Sequence, residues 1–350
     1  MIDYIIVGFG LGGSVLASHL EGEGKSVYII DGSDKKASVV AAGLFNPIVL
    51  KRYTMSWNGH AQLQYAKLFY ENLGCNLKTS IVEEFPVYRR FHSAEEQNNW
   101  FEKIDQPELS TYLSPYLVEQ PTKAIVAPFK YGQVMKTGRI LIQKMLDAYT
   151  KQLVNKAAFK NEDFDYDLLE IKKNYVQYKG VKAKRIVFCE GYGIKKNPFF
   201  NHLLLVGNKG TYLIIECKDL QLKAAVKSHF FIVPLGNNRY KFGATYEQQI
   251  KGGNYDLAAK AHLISCLDDL ITVPYKIIDQ VTAVRPTVKD RRPLAGSHHK
   301  HENVFVMNGL GTRGVMIAPT VAKQMVDFME YKKPLPNEIN CNRYKSKADY

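Results

Sequence analysis

Cysteine is scarce in this chain. There are five in 350 residues, at positions 75, 189, 217, 266 and 341. An odd, scattered set makes no disulfide framework, and no two lie at the close spacing of a zinc site or a CxxC redox centre. Buried thiols in a reducing compartment are the expectation. Long apolar runs are also missing. The best candidate, Val39 to Leu50, is broken by Gly43, Asn46 and Pro47 and is shorter than the roughly 20 residues that span a bilayer, so no membrane partner is expected. No internal repeat or low-complexity segment stands out, and a hydrophobic content of 46% excludes a disordered chain. Acidic residues are in the minority, 34 against 47 Lys and Arg, for a net charge of +13. That excess is compatible with a polyanionic partner, yet the charges are dispersed. Local groups such as Lys182, Lys184 and Arg185, or Lys289, Arg291 and Arg292, form no basic arm. His298, His299 and His301 lie close together in "SHHKHEN", which reads as a turn between two strands. No cysteine or carboxylate pattern completes a metal site there, and no metal is expected.

Glycine, by contrast, is concentrated at one place. "VGFGLGGS" puts Gly8, Gly10, Gly12 and Gly13 between the apolar run Tyr4–Val7 and the helical pattern of Leu16, Ala17 and Leu20. Such a cluster costs backbone entropy unless positive φ or a close approach requires it. A second apolar run, Val27 to Ile30, ends at Asp31. Strand, glycines, helix, strand and acid in this order form a βαβ dinucleotide fingerprint. Gly8 makes the tight turn, Gly10 admits a pyrophosphate, and Gly13 lets helix and strand pack closely. The phosphates would lie on the helix N-terminus, and Asp31 would accept from the ribose hydroxyls of an adenosine. The fingerprint begins with the first residues, leaving no room for a cleavable signal peptide, and a cytoplasmic protein is expected.

Further along, helices are expected from about His60 to Leu73, from Gly138 to Leu153 and from Tyr255 to Leu270, with strand-like and charged segments between 74 and about 130. Residues 168–191 read as strands ending in "IVFCEGYG". The stretch 210–246 reads as antiparallel structure with a hairpin turn at Gly236 and Asn237. An antiparallel block inside a parallel-sheet protein suggests an inserted domain. The chain closes with strand, glycine loop and helix in "NVFVMNGLGTRGVMIAPTVAKQMVDFM", with Pro319 placed in the first helical turn, and a surface tail from about Pro334.

In order along nearly the whole chain, the opening fingerprint with Asp31, "AAGLFNP", "IVFCEGYG", "RYKFGATYE", "VRPTVKDRRPLAG" and "NGLGTRGVMIAP" resemble the FAD-dependent D-amino acid oxidase superfamily. The motifs are most like those of glycine oxidases and of the FAD oxidoreductase module of the bifunctional tRNA enzyme that matures 5-carboxymethylaminomethyluridine. The resemblance implies an α/β fold: a Rossmann-like FAD-binding domain (1–80, 135–205, 275–335), an inserted antiparallel-sheet substrate domain (81–134, 206–274) and a surface tail (336–350). It implies FAD held by Gly8, Gly10, Gly13 and Asp31, with Glu190 and Gly191 near the adenosine half. Ser38, Ala42, Gly43 and Pro47 would run beside the flavin. The loop of Gly309, Gly311, Thr312, Arg313, Gly314 and Val315 would face the pyrimidine end, where a helix N-terminus stabilises negative charge on a reduced flavin. No cysteine accompanies that loop, so the FAD is expected to be noncovalent.

The implied reaction oxidises the C–N bond of a glycine-like or N-substituted glycine substrate by hydride transfer to flavin N5. It needs orientation more than a catalytic acid or base, in keeping with the lack of a Ser/His/Asp set or a carboxylate pair. Arg285 is the leading candidate to pair with a substrate carboxylate, against the alternative of a structural ion pair. Arg52 and Arg313 are weaker candidates, and Tyr246 and Trp57 could line the pocket or only pack. Two alternatives stay open: a tRNA-modifying flavoenzyme, weakened by the missing methyltransferase domain, and a non-catalytic FAD-binding module.

Overall fold

The computed structural model describes residues 1–32, 36–247 and 256–344. Strand Ile2–Val7 sits mid-sheet, parallel to Val27–Ile30 on one side and Val181–Phe188 on the other. Phe159–Lys160 and Val304–Asn308 extend the parallel set outward. From Tyr4 to Val7 the central strand is a continuous apolar run because both faces are covered there. Tyr4 and Ile6 pack into one core with helices Leu11–Gly22 and Gly314–Tyr331, while Ile5 and Val7 point into a second core with Phe188 and Phe200, as strand alternation requires. Antiparallel strands 294–297, 169–171 and 176–178 complete this sheet. The polar loop carrying His298, His299 and His301 joins 294–297 to Val304–Asn308, as the sequence predicts.

A second eight-stranded sheet runs in the order 276–288, 205–216, 239–243, 231–236, 225–227, 87–90, 131–134, 113–118. Its core packs Leu213, Ile215 and Phe242 against Leu263 and Leu267 of helix Leu257–Asp268. That helix is capped by Asp256, whose Oδ1 accepts from the Ala259 N–H at 3.0 Å. Tyr255, the expected start, lies outside the described residues. The hairpin turn falls at Gly236 to Asn238, all at positive φ. The helix Gly59–Asn76 includes the predicted 60–73.

Several expectations need correction. Gly138–Ile140 is a strand, wedged between 82–84 and 44–45, and the helix begins only at Ile142. A Cβ on Gly138 would lie 2.2 Å from the Glu83 carbonyl oxygen, so the glycine serves close strand pairing. Ala94–Ile104, expected among strand-like segments, is a helix. Lys276–Val288, assigned to the cofactor domain, pairs along its length with Leu205–Glu216 in the second sheet. Pro319 lies inside the last helix, not in its first turn. The Val315 carbonyl, deprived of its helical donor, instead accepts from the Tyr70 hydroxyl at 3.0 Å. The segment after Pro334 is no surface tail as far as residue 344, for Leu335, Ile339 and Cys341 are buried. Among the described residues, no helix is long and apolar enough to cross a membrane.

Candidate active site

The two sheets face each other across a cleft of about 1000 Å³. The opening glycine turn forms one wall. Gly8 has φ of +92°, and a Cβ there would come within 2.7 Å of the Cys189 carbonyl oxygen. Gly13 is tighter, its Cβ position 1.9 Å from the Gly8 carbonyl oxygen, so it packs helix on strand and does not line the cleft. At Gly10 the only neighbour of a Cβ would be Ser38 Oγ at 3.4 Å, so the space before this residue is open. The helix that begins at Leu11 has no side-chain cap, which leaves first-turn N–H groups free to meet an anion. At the end of the second strand, Asp31 Oδ1 accepts from the Phe9 N–H at 2.8 Å and Oδ2 pairs with Lys36 Nζ at 2.7 Å. Nothing in the sequence pattern singles out Lys36 as a contact of Asp31.

Glu190 and Gly191 line the same cleft. The Glu190 carboxyl accepts from the Tyr166 hydroxyl and, at 2.7 Å, from the Asn197 amide. Burial pushes its pKa up to about 7, against the lowering effect of those two donors. Asn308, nearly fully buried, joins this turn to the far glycine loop. Its amide donates to the Gly191 carbonyl at 2.9 Å and its Oδ1 accepts from the Gly309 N–H at 2.8 Å. An asparagine just before a glycine at a strand end is the signal that could have marked it.

Ser38, Ala42 and Gly43 line the cleft, as do Gly311, Thr312, Gly314 and Val315 at the start of the last helix. Gly309 does not; its φ is +71° and a Cβ would meet Val288 at 2.7 Å. Pro47 is buried outside the cleft wall, its carbonyl accepting from the Ser56 N–H at 2.8 Å. Arg313 also turns away, donating to the carbonyls of Asn46 and, at 2.9 Å, Ile48. It ties two loops together. Arg52 is exposed and does not line the cleft. Trp57 donates to the Glu338 carboxylate at 3.1 Å and carries Arg292 over its ring, outside the cleft.

From the opposite wall, Arg285 reaches the cleft with Tyr212 and Tyr246. Its Nη1 donates to Asn208 Oδ1 at 2.8 Å and to the Thr245 carbonyl at 3.3 Å. Neither partner is charged, and among the described residues no carboxylate forms an ion pair with Arg285. Nearby Lys209, fully buried, is paired with Asp256 at 2.6 Å. Among the described residues, no group of His, Cys, Asp and Glu is arranged to hold a metal ion.

A βαβ glycine turn facing a second, mostly antiparallel sheet, in which only 225–227 and 87–90 pair in parallel among the described residues, defines a flavoprotein oxidoreductase class of fold. The chain belongs to the FAD dependent oxidoreductase (DAO) family, whose profile matches residues 3–328. It is 25% identical over 121 residues to the glycine oxidase of Geobacillus kaustophilus (strain HTA426), a match spanning 33% of this chain and 31% of that relative. The crystal structure of glycine oxidase from Bacillus cereus ATCC 14579 superposes with a TM-score of 0.78 at 18% identity, covering 95% of this chain and 96% of the other. Iminodiacetate oxidase from Chelativorans sp. BNC1 gives 0.78 at 15% identity, covering 98% of both. At these identities the superpositions establish the fold.

Proposed function

We propose that this chain oxidises the C–N bond of an amine or amino acid carrying a carboxylate, glycine or an N-substituted glycine being the substrate class. The observation that carries this reading is Arg285, a guanidinium without an ion-pair partner among the described residues, in the same cleft as the glycine fingerprint. Two relatives support it by name, since glycine and iminodiacetate are both glycine-type amines.

The residues present fit FAD. The open space before Gly10 and the uncapped helix start suit a pyrophosphate, and Asp31 suits a ribose. The start of the last helix, at Gly311 to Val315, would place its positive end against the flavin pyrimidine. When bound, FAD supplies the two-electron acceptor for C–N oxidation. The protein's part is orientation. Arg285 would fix the substrate carboxylate, so that the carbon bearing nitrogen lies at a set depth in the cleft. Tyr212 and Tyr246 would limit the space around the substituent.

Anaerobic bleaching of the bound flavin by a panel of amines, amino acids and their carboxamides tests this. Acidic amines should bleach and carboxamides should not. Arg285→Ala should keep its FAD and lose the acid preference by on the order of a hundredfold, the usual effect of removing one partner of a buried charged pair. An unchanged acid-to-amide ratio would make Arg285 structural. Bleaching by hypomodified tRNA alone would shift the reading to an RNA-borne substrate.

A further inference from the structure

We propose that Asn208 and Gly210 are positioning residues that fix the Arg285 guanidinium so that it receives a carboxylate side-on, through Nε–H and Nη2–H. The proposal rests on the reading of Arg285 as carboxylate anchor.

The geometry follows from strand pairing. Leu205–Glu216 runs antiparallel to Lys276–Val288 with Asn208 directly opposite Arg285, so their side chains share a face. Gly210, two residues along, points to that same face. A Cβ built there would lie 2.3, 2.4 and 2.5 Å from Nη2, Nη1 and Cζ of Arg285. These distances place the Nη1–Nη2 end of the guanidinium directly over the glycine. Any side chain at 210 would displace the group.

Asn208 settles the remaining freedom. It is buried, and its Nδ2 donates to the Glu247 carbonyl at 3.1 Å. That bond fixes the amide so that Oδ1, not the NH2 group, faces Arg285. Nη1 carries two hydrogens. One is accepted by Asn208 Oδ1 and the other by the Thr245 carbonyl. Among the described residues Nε and Nη2 have no acceptor, so the edge they share is the one left for a ligand. A planar carboxylate meets that edge with two parallel hydrogen bonds. Asn208 does this without a charge of its own. An aspartate of the same shape would pair with Arg285 and compete with the substrate.

The holoenzyme titrated with acetate, and with acetamide as its neutral counterpart, tests the proposal through the flavin absorbance difference spectrum. The wild type should bind acetate and discriminate against acetamide. Gly210→Ala and Asn208→Asp should each weaken acetate at least about tenfold, with the FAD content unchanged. Asn208→Ser, which retains an oxygen acceptor, should stay nearer the wild type than Asn208→Asp. If Gly210→Ala and Asn208→Asp bind acetate as tightly as the wild type while Arg285→Ala does not, the cradle is overturned and the anchor stands. If the wild type fails to prefer acetate, or Arg285→Ala keeps the preference, the anchor itself is wrong and the cradle falls with it. Asn208→Asp is isosteric, so the test survives a Gly210→Ala variant that does not fold.

Discussion

Glu190 is a carboxylic acid set into a cleft wall that also holds Asp31, Glu162 and Asp163. Burial is the leading cause of its raised pKa, from 4.5 to about 7. A carboxyl that holds its proton more tightly in the folded state favours folding below its unfolded pKa, and loses that contribution as pH rises through the folded value. The window here is about 4.5 to 7. Between pH 4.5 and 8, flavin-free wild type should therefore lose about 1–3 kcal/mol relative to Glu190→Gln, the lower end applying because the carboxyl borders an open cleft. Urea denaturation of both proteins across that range reads the difference. Parallel pH profiles would place an ordinary carboxyl at this position.

At this scale, what could be read directly was backbone constraint: Gly8 has a positive φ, and a Cβ on Gly13 would strike the Gly8 carbonyl oxygen within the same turn. Arg313 was not legible. Its acceptors are the carbonyls of Asn46 and Ile48, and a guanidinium bonded to distant main chain looks in sequence like any cation in a cofactor loop.

Among the elements, the helix Ala94–Ile104 shows how a start signal can outweigh composition. "SAEE" carries Ser at the cap and Glu three residues on, the spacing of a capping box. The Ser93 hydroxyl accepts from the Glu96 N–H at 3.1 Å, while the Glu96 carboxylate accepts from the His92 N–H at 2.8 Å and pairs with Arg89. The face turned inward contributes a single fully buried side chain, Trp100, so apolar periodicity over this segment is weak. Ser93→Ala should cost about 1 kcal/mol, read as a lower urea midpoint with unchanged slope and with FAD content intact, because the helix does not line the cleft. A loss of flavin in that variant would mean that the helix supports the site after all. The parallel strands Ile2–Val7, Val27–Ile30 and Val304–Asn308, and the Ile186–Phe188 end of Val181–Phe188, were legible for the opposite reason, being apolar runs, whereas the two-residue Phe159–Lys160 was not. Strand structure from Val281 on was legible too, but its place in the second sheet was not, because the residues of Lys276–Val288 are mostly half-buried at a sheet edge and the partner strand, Leu205–Glu216, is distant in sequence.

The whole molecule depends on ties between its sheets and the segments beside them. Lys241 of the second sheet donates to the carbonyls of Val40 and Ala41 at 3.0 and 3.3 Å, beside the segment that lines the cleft. Arg139 pairs with Glu83 and donates to the Pro234 carbonyl at 2.6 Å. The third tie is the C-terminal segment. Ile339 is fully buried, its carbonyl accepts from the Ala295 N–H at 2.8 Å, and Arg343 pairs with Asp290 at 3.0 Å. This segment braces residues 290–295, which lead from the strand bearing Arg285 back into the first sheet. Its polar, proline-flanked sequence concealed the role, because only Leu335, Ile339 and Cys341 supply buried surface and no periodic pattern joins them. Ile339→Ala should cost about 2–5 kcal/mol, the range for emptying a buried aliphatic site. Thermal and urea midpoints should fall together, as the segment is part of the core. If the variant unfolds at the wild-type midpoint, residues 335–344 do not brace the fold, and the return of the chain to the first sheet must be held by the pairing of 294–297 with 304–308 alone.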